Sequence, residues 1–268
     1  MGRQLTHAPV FFVVAQVRHS PILKLDSLVA DLQERLRKQG YPGYKLSKHL
    51  GFEVVTNPSG PPEAKFEQIE LNNHIFSSRD GAHSFNALKD SFSFSTVEYG
   101  TFEAFIERLK PLLLAYADLC APDSFSQIGL RFLDAIVAGE DKLLHPLIHR
   151  QFLGLSDTIG DDWFTDYSFS EASLSHNDQR LKARVVARAS SIIWPPDLAP
   201  FAPRLPQRFA EINGVHALLD TDATYTTAPG MAQPFDVEVI LDRLLSLKKD
   251  VSAAFKATVT PEALKAWE

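Results

Sequence analysis

Six basic residues are spaced as a binding surface would space them. In the run Arg180-Leu-Lys-Ala-Arg-Val-Val-Ala-Arg188, strand alternation puts Arg180, Lys182, Arg184 and Arg188 on one face. Leu181, Ala183, Val185 and Ala187 take the other face. A cationic row of this kind can hold phosphates, nucleic acid or an acidic partner through charge-assisted hydrogen bonds. It is equally the composition of a solvated outer face on a half-buried antiparallel sheet. The aromatic interleaving of a base-stacking platform is absent from it. Two further cations, Arg18 and Arg131, close the segments Phe12–Arg18 and Phe125–Arg131, which align without a gap and share their Phe and Arg.

Carboxylates supply the second constellation. Asp220 and Asp222 share one face of an expected strand and could reach one cation, with Asp134 or Asp161-Asp162 completing an oxygen ligand set. Facing the basic row across neighbouring strands, the same acids would instead form structural ion pairs. Of nine histidines, only His145 and His149 have the i, i+4 spacing of a helical metal pair; Pro146 interrupts it and no acid lies between them. Cys120 has no nearby histidine in sequence and reads as a packed small apolar residue. The chain contains neither a Gly-x-Ser-x-Gly elbow nor a phosphate-cradling glycine loop, so no catalytic residue, metal or cofactor is expected.

These residues require elements to hold them. Val10–Ala15 predicts a buried first strand, followed by a helix striped by Leu25, Leu28, Val29, Leu32 and Leu36 that ends at Gly40. A strand over 44–55, a turn-rich segment at 57–62, short strands through Val97 and a hairpin at Arg79-Asp80-Gly81 come next. Phe102–Leu119 predicts a helix broken or shifted at Pro111, and Phe125–Val137 an apolar strand. Residues 143–155 read as helical, 167–193 as a hairpin, and 195–206, with five of the seventeen prolines, as a semi-rigid loop where Trp194 pins the chain or walls a pocket. Val215–Thr226 is a strand, and a long helix from Val237 to Phe255 precedes a short one at Thr260-Pro261. The fold class is therefore α+β, an antiparallel sheet packed by amphipathic helices. Two halves, 1–122 and 123–268, each run strand, helix-like stretch, hairpins and closing helix, as an internal duplication or one continuous domain would.

Composition sets the outer limits. The 268 residues carry 27 Lys+Arg against 33 Asp+Glu, a formal charge of −6, which disfavours sequence-blind capture of polyphosphate but leaves a local basic groove open. A single cysteine fits a reducing cytosol, and no stretch has the length of a membrane span or the form of an export signal.

Phe11–Arg18, Ile128-Gly-Leu-Arg131 running on through Asp134 to Ile136, and Leu218-Leu-Asp220-Thr-Asp222 together resemble a sporadically distributed, uncharacterised bacterial family of about this length. The likeness spans nearly the whole chain and brings no activity or catalytic residue with it. Its patchy distribution implies an accessory of mobile or defence loci. The expectation is thus a cytoplasmic, non-catalytic binding protein with a protein partner. The alternatives are a nucleic-acid or nucleotide-processing protein on the basic face, and a metal-dependent hydrolase at Asp220 and Asp222.

Overall fold

Alternation and helical stripes in the chain become elements of one ten-stranded antiparallel sheet with its main helices on one side. The computed structural model describes residues 7–56, 64–159, 165–228 and 230–268. The 57–62 turn segment, Asp161, Asp162 and Trp163 lie outside the described residues.

The first half comprises β1 (Val10–His19), α1 (Leu25–Lys38), β2 (Gly43–Thr56), β3 (Ala64–Ser77), β4 (His83–Leu88), β5 (Ser91–Thr96) and α2 (Phe102–Cys120). The second comprises β6 (Ser124–Val137), β7 (Tyr167–His176), β8 (Gln179–Ser191), the single turn α3 (Gln207–Ala210), β9 (Asn213–Thr226), the two-residue β10 (Gln233–Pro234), α4 (Val237–Thr258) and α5 (Pro261–Trp267). The strands lie in the order β2-β3-β4-β5-β1-β6-β9-β8-β7, with β10 on β6. Each half therefore opens on a central strand and ends its meander beside that strand, β5 on β1 and β9 on β6. The two opening strands pair with one another, so sheet hydrogen bonds cross from residues 1–122 to 123–268.

Apart from a bulge at Phe11, side chains of the central strands alternate between the two faces. Val13, Ala15, Val17, Phe85, Phe92, Phe94, Ile128 and Leu130 point to the helix face, where they meet Leu32 and Leu36 of α1, Leu109 and Tyr116 of α2, and Leu244 and Val251 of α4. Capping fixes where these helices begin: Thr101 accepts from the Ala104 N–H at 3.1 Å, Asp236 from the Val239 N–H at 3.0 Å and Thr260 from the Ala263 N–H at 3.1 Å. Gly40 takes φ +95° just beyond α1, a conformation glycine adopts without a side-chain clash. α2 continues through Pro111 as one helix. Among the described residues no helix is long and apolar enough to cross a membrane.

The expected helix over 143–155 does not form. Two 3-10 turns, Arg150–Phe152 and Gly154–Asp157, take its place. Pro146 lacks the N–H that a helix would use, and the neighbouring backbone is drawn to the α4–α5 junction instead. There the His149 N–H donates to Thr258 O at 3.0 Å and the Thr260 N–H to Leu147 O at 3.0 Å. His145 and His149 consequently share no helical face; His145 Nδ1 lies 3.5 Å from the Asp157 carboxylate.

Among the described residues, the opposite face of the sheet is covered at one end. Residues 192–212 fold over Phe11, Phe12, Leu133 and Leu218, and Trp194 meets both Phe11 and Phe12 edge-on at 5.4 and 5.1 Å. The semi-rigid loop is thus a lid on half of a face, and the other half stays open.

Candidate functional site

Register alone assembles the polar lining of the open half-face. One row across the sheet runs Asn86, Ser93, Gln16, Gly129, Thr224, Arg180. The next runs Ser84, Ser95, Val14, Arg131, Asp222, Lys182. A third carries Leu88, Ser91, Arg18 and Gln127. Directly opposed residues share a face, so Arg18, Arg131 and the whole Arg180–Arg188 row stand on the same side of the sheet. The structure brings the basic residues and the two aspartates onto one surface.

Where the lid ends, this surface sinks into a groove of about 350 Å³. Gln16, Arg18, Asn73, Asn86, Gln127, Gly129, Arg131, Asp222 and Thr224 line it from the sheet; Trp194, Asp197 and Leu198 line it from the lid. A Cβ built on Gly129 meets nothing within 4 Å, so the groove is open above the centre of the β1–β6 pair. Asn73 is 2% exposed, and its Oδ1 and that of Asn86 are buried without a hydrogen-bond partner. Such acceptors are costly unless something donates to them. A second cavity of about 260 Å³, between 137–142 and 212–215, is lined largely by small and aliphatic residues.

An ion-pair chain borders the groove. Register sets Asp222 opposite Arg131, yet the guanidinium turns to Asp220: Nε donates to Oδ1 at 2.7 Å and Nη2 to Oδ2 at 2.8 Å. From the lid, Asp197 accepts from Arg131 Nη1 at 2.5 Å. Arg184 donates to Asp220 Oδ2 at 2.9 Å and to Glu171 at 2.5 Å. Glu171, Arg184, Asp220, Arg131 and Asp197 thus alternate in sign across four strands and the lid. Burial alone would weaken the proton affinity of Arg131, but its bonds to Asp220 and Asp197 more than offset that and hold the cation charged. The same guanidinium pulls Asp197 below the usual carboxylate range.

Asp222 behaves differently. Burial raises its carboxyl; Arg131 opposes the shift and the neighbouring Asp220 charge adds to it. Its oxygen accepts only a long bond from Thr224, at 3.5 Å. Both Asp220 oxygens are taken by arginines, so the pair does not present two free carboxylates to a cation. Arg18, Arg180 and Lys182 make no ion pair with any described residue. Arg188 sits opposite His216 with its Nε buried and unpartnered. Cys120 is buried at the end of α2, and burial pushes its thiol up to about 11.

Several lining residues carry a signal in the sequence that the phenylalanines overshadow. In Ser91-Phe-Ser-Phe-Ser-Thr96 and His83-Ser-Phe-Asn-Ala-Leu88 the aromatics mark the core face, and the alternate Asn86, Ser93 and Ser95 line the groove. Asp197 has no such signal, because a long loop delivers it to Arg131 from 66 residues away. Fold and site define a single-sheet α+β protein with a polar groove on its open face. No known family model matches the chain, and no curated protein matches it in sequence.

Proposed function

We propose that the protein is a non-catalytic cytosolic binding protein that takes an extended segment of a protein partner into the groove above Gly129. The observation that carries this reading is the pair of buried side-chain carbonyls, Asn73 and Asn86, lacking donors at one side of a groove whose centre is an open glycine floor. Main-chain N–H groups of an extended segment would satisfy them, Gln16 and Gln127 offer further amide pairing, and Trp194 supplies an apolar wall. The pairing of Arg131 and Arg184 with Asp220, Asp197 and Glu171 supports recognition over chemistry at these residues.

The nucleic-acid reading draws on the unpaired Arg18, Arg180 and Lys182, which share this surface. Four carboxylates interleaved among the cations weigh against it, since each repels phosphate.

Gly129→Phe is the test. It lies on a central strand with ordinary backbone angles and free space above it, so the ring fills the groove without straining the fold. In pull-downs from native lysate, wild type is expected to retain a stoichiometric protein that the variant loses. Affinity for that isolated partner should fall at least about tenfold, roughly 1.4 kcal/mol. Equal retention by a folded Gly129→Phe protein removes the groove from the proposal. Co-purifying nucleic acid that leaves as salt rises, and is lost in Arg18→Glu, would put the nucleic-acid reading in its place.

A further inference from the structure

The β3–β4 hairpin and the segment after β5 bring three metal-ligating side chains together. Its turn residue Asp80 accepts from Ser78 Oγ at 2.5 Å and from the Ala82 N–H at 2.9 Å, both through Oδ1, which fixes the carboxylate and leaves its second oxygen for another partner. His83 opens β4 opposite Thr96. Glu98 follows β5 and is placed by two bonds, the Val97 N–H to Ala82 O at 3.0 Å and its own N–H to Thr96 Oγ1 at 3.0 Å. One ligand atom from each of Asp80, His83 and Glu98 lies within 4.8 Å of the others.

The histidine separates this cluster from an ordinary acidic surface. His83 is 5% exposed, stacks on Phe94 at 6.4 Å, and keeps a buried Nδ1 with no hydrogen-bond partner. The two carboxylates beside its ring are exposed, Asp80 held by its Oδ1 bonds with its second oxygen available. We propose that Asp80, His83 and Glu98 form a binding site for a divalent transition-metal ion of the Zn2+ class. An imidazole with two carboxylates suits such ions, and with Asp80 already fixed, bonds of roughly 2.0–2.2 Å need only the exposed Glu98 to swing inward. The ring ligates only as neutral imidazole, and the Arg108 guanidinium lies within electrostatic reach of it. Arg108 also repels the ion, which places the site among modest binders. With three protein donors, water completes the shell, and the ion ties the β3–β4 turn to the segment entering α2.

The experiment is calorimetric titration of tag-free, chelator-stripped full-length protein with ZnCl2, alongside Glu98→Gln and His83→Ala. Wild type is expected to bind one equivalent and to melt at higher temperature with Zn2+ present. Glu98→Gln, a surface change that leaves the fold intact, should weaken binding at least about tenfold. His83→Ala should abolish it, with circular dichroism confirming that the variant is folded. The proposal is overturned if wild type shows no saturable binding, or if folded Glu98→Gln binds as wild type does, which would place the ion elsewhere.

Discussion

Asp220→Ala is expected to destabilise the protein by about 3 kcal/mol in urea unfolding at neutral pH. Asp220 is 2% exposed and accepts from two guanidiniums, so its loss strands Arg131, itself 7% exposed, with one buried flank uncompensated. Breaking a buried pair typically costs about 3–5 kcal/mol. The lower end applies here because Asp197 and Glu171 still hold the outer sides of the two arginines. Those outer contacts are partly exposed and worth correspondingly less. An Arg131→Met/Asp220→Leu double variant should recover much of the loss, since apolar replacement of a whole buried pair is often nearly neutral. A single-variant loss below about 1 kcal/mol, or a double variant less stable than Asp220→Ala, would show that the pair is not structurally coupled.

Asp134 should make stability depend on pH in the opposite sense to an ordinary surface carboxylate. It lies in β6 opposite Val10 and Leu219, 5% exposed, and burial pushes its carboxyl up to about 7, with Lys248 of α4 only partly offsetting this. An unfolded aspartate titrates near 3.9, so over the interval between the two values the folded chain holds the proton more tightly. The resulting stability is fully present below the unfolded value and is lost as pH rises through about 7. At about 1.4 kcal/mol per pH unit the full effect is at most about 4 kcal/mol. Buried His19, His83 and His216, whose proton affinities burial lowers, act with the opposite slope at acid pH. The measurement is therefore the difference between wild type and Asp134→Asn at pH 5 and pH 8. The variant is expected to gain a few kcal/mol on wild type across that interval. A difference that does not change with pH would mean that Asp134 is already ionised in the fold at pH 5.

Much of this architecture can be read from pattern. The β-branched run at Val10, the leucine stripe of α1, the apolar faces of α2 and α4 and the 167–193 hairpin are local signals, and each forms where it is expected. Alternation likewise places Arg180, Lys182, Arg184 and Arg188 on one face, and register shows Asp220 and Asp222 meeting that face as ion-pair partners. Two things escape because they depend on distant contacts. The 143–155 segment has helical periodicity, but Pro146 and the pull of Thr258 and Leu147 decide its path. The groove exists because the proline-rich loop stops short, and neither that stopping point nor the arrival of Asp197 is written in any local spacing. Gly129 looks like an unremarkable strand glycine until the strands beside it show that it forms the floor.

The pairing of β1 with β6 also bears on how the chain is made. β1 precedes both of its partners in the chain; β5 can cover one of its edges, but the other edge belongs to β6. Until β6 arrives, that edge offers unpaired amides beside Val13, Ala15 and Val17, the kind of template that recruits a neighbouring chain. That exposure lasts from the end of β1 to the end of β6, about 118 residues or roughly 6–24 s of elongation, and the order of elements keeps its last stage short. Only α2 separates β5 from β6, and about 40 residues, roughly 2–8 s at ordinary elongation rates, carry synthesis from the end of one to the end of the other. A pause in translation within α2 would lengthen that interval directly, so the yield of this protein is tied to the pace at which those residues are decoded.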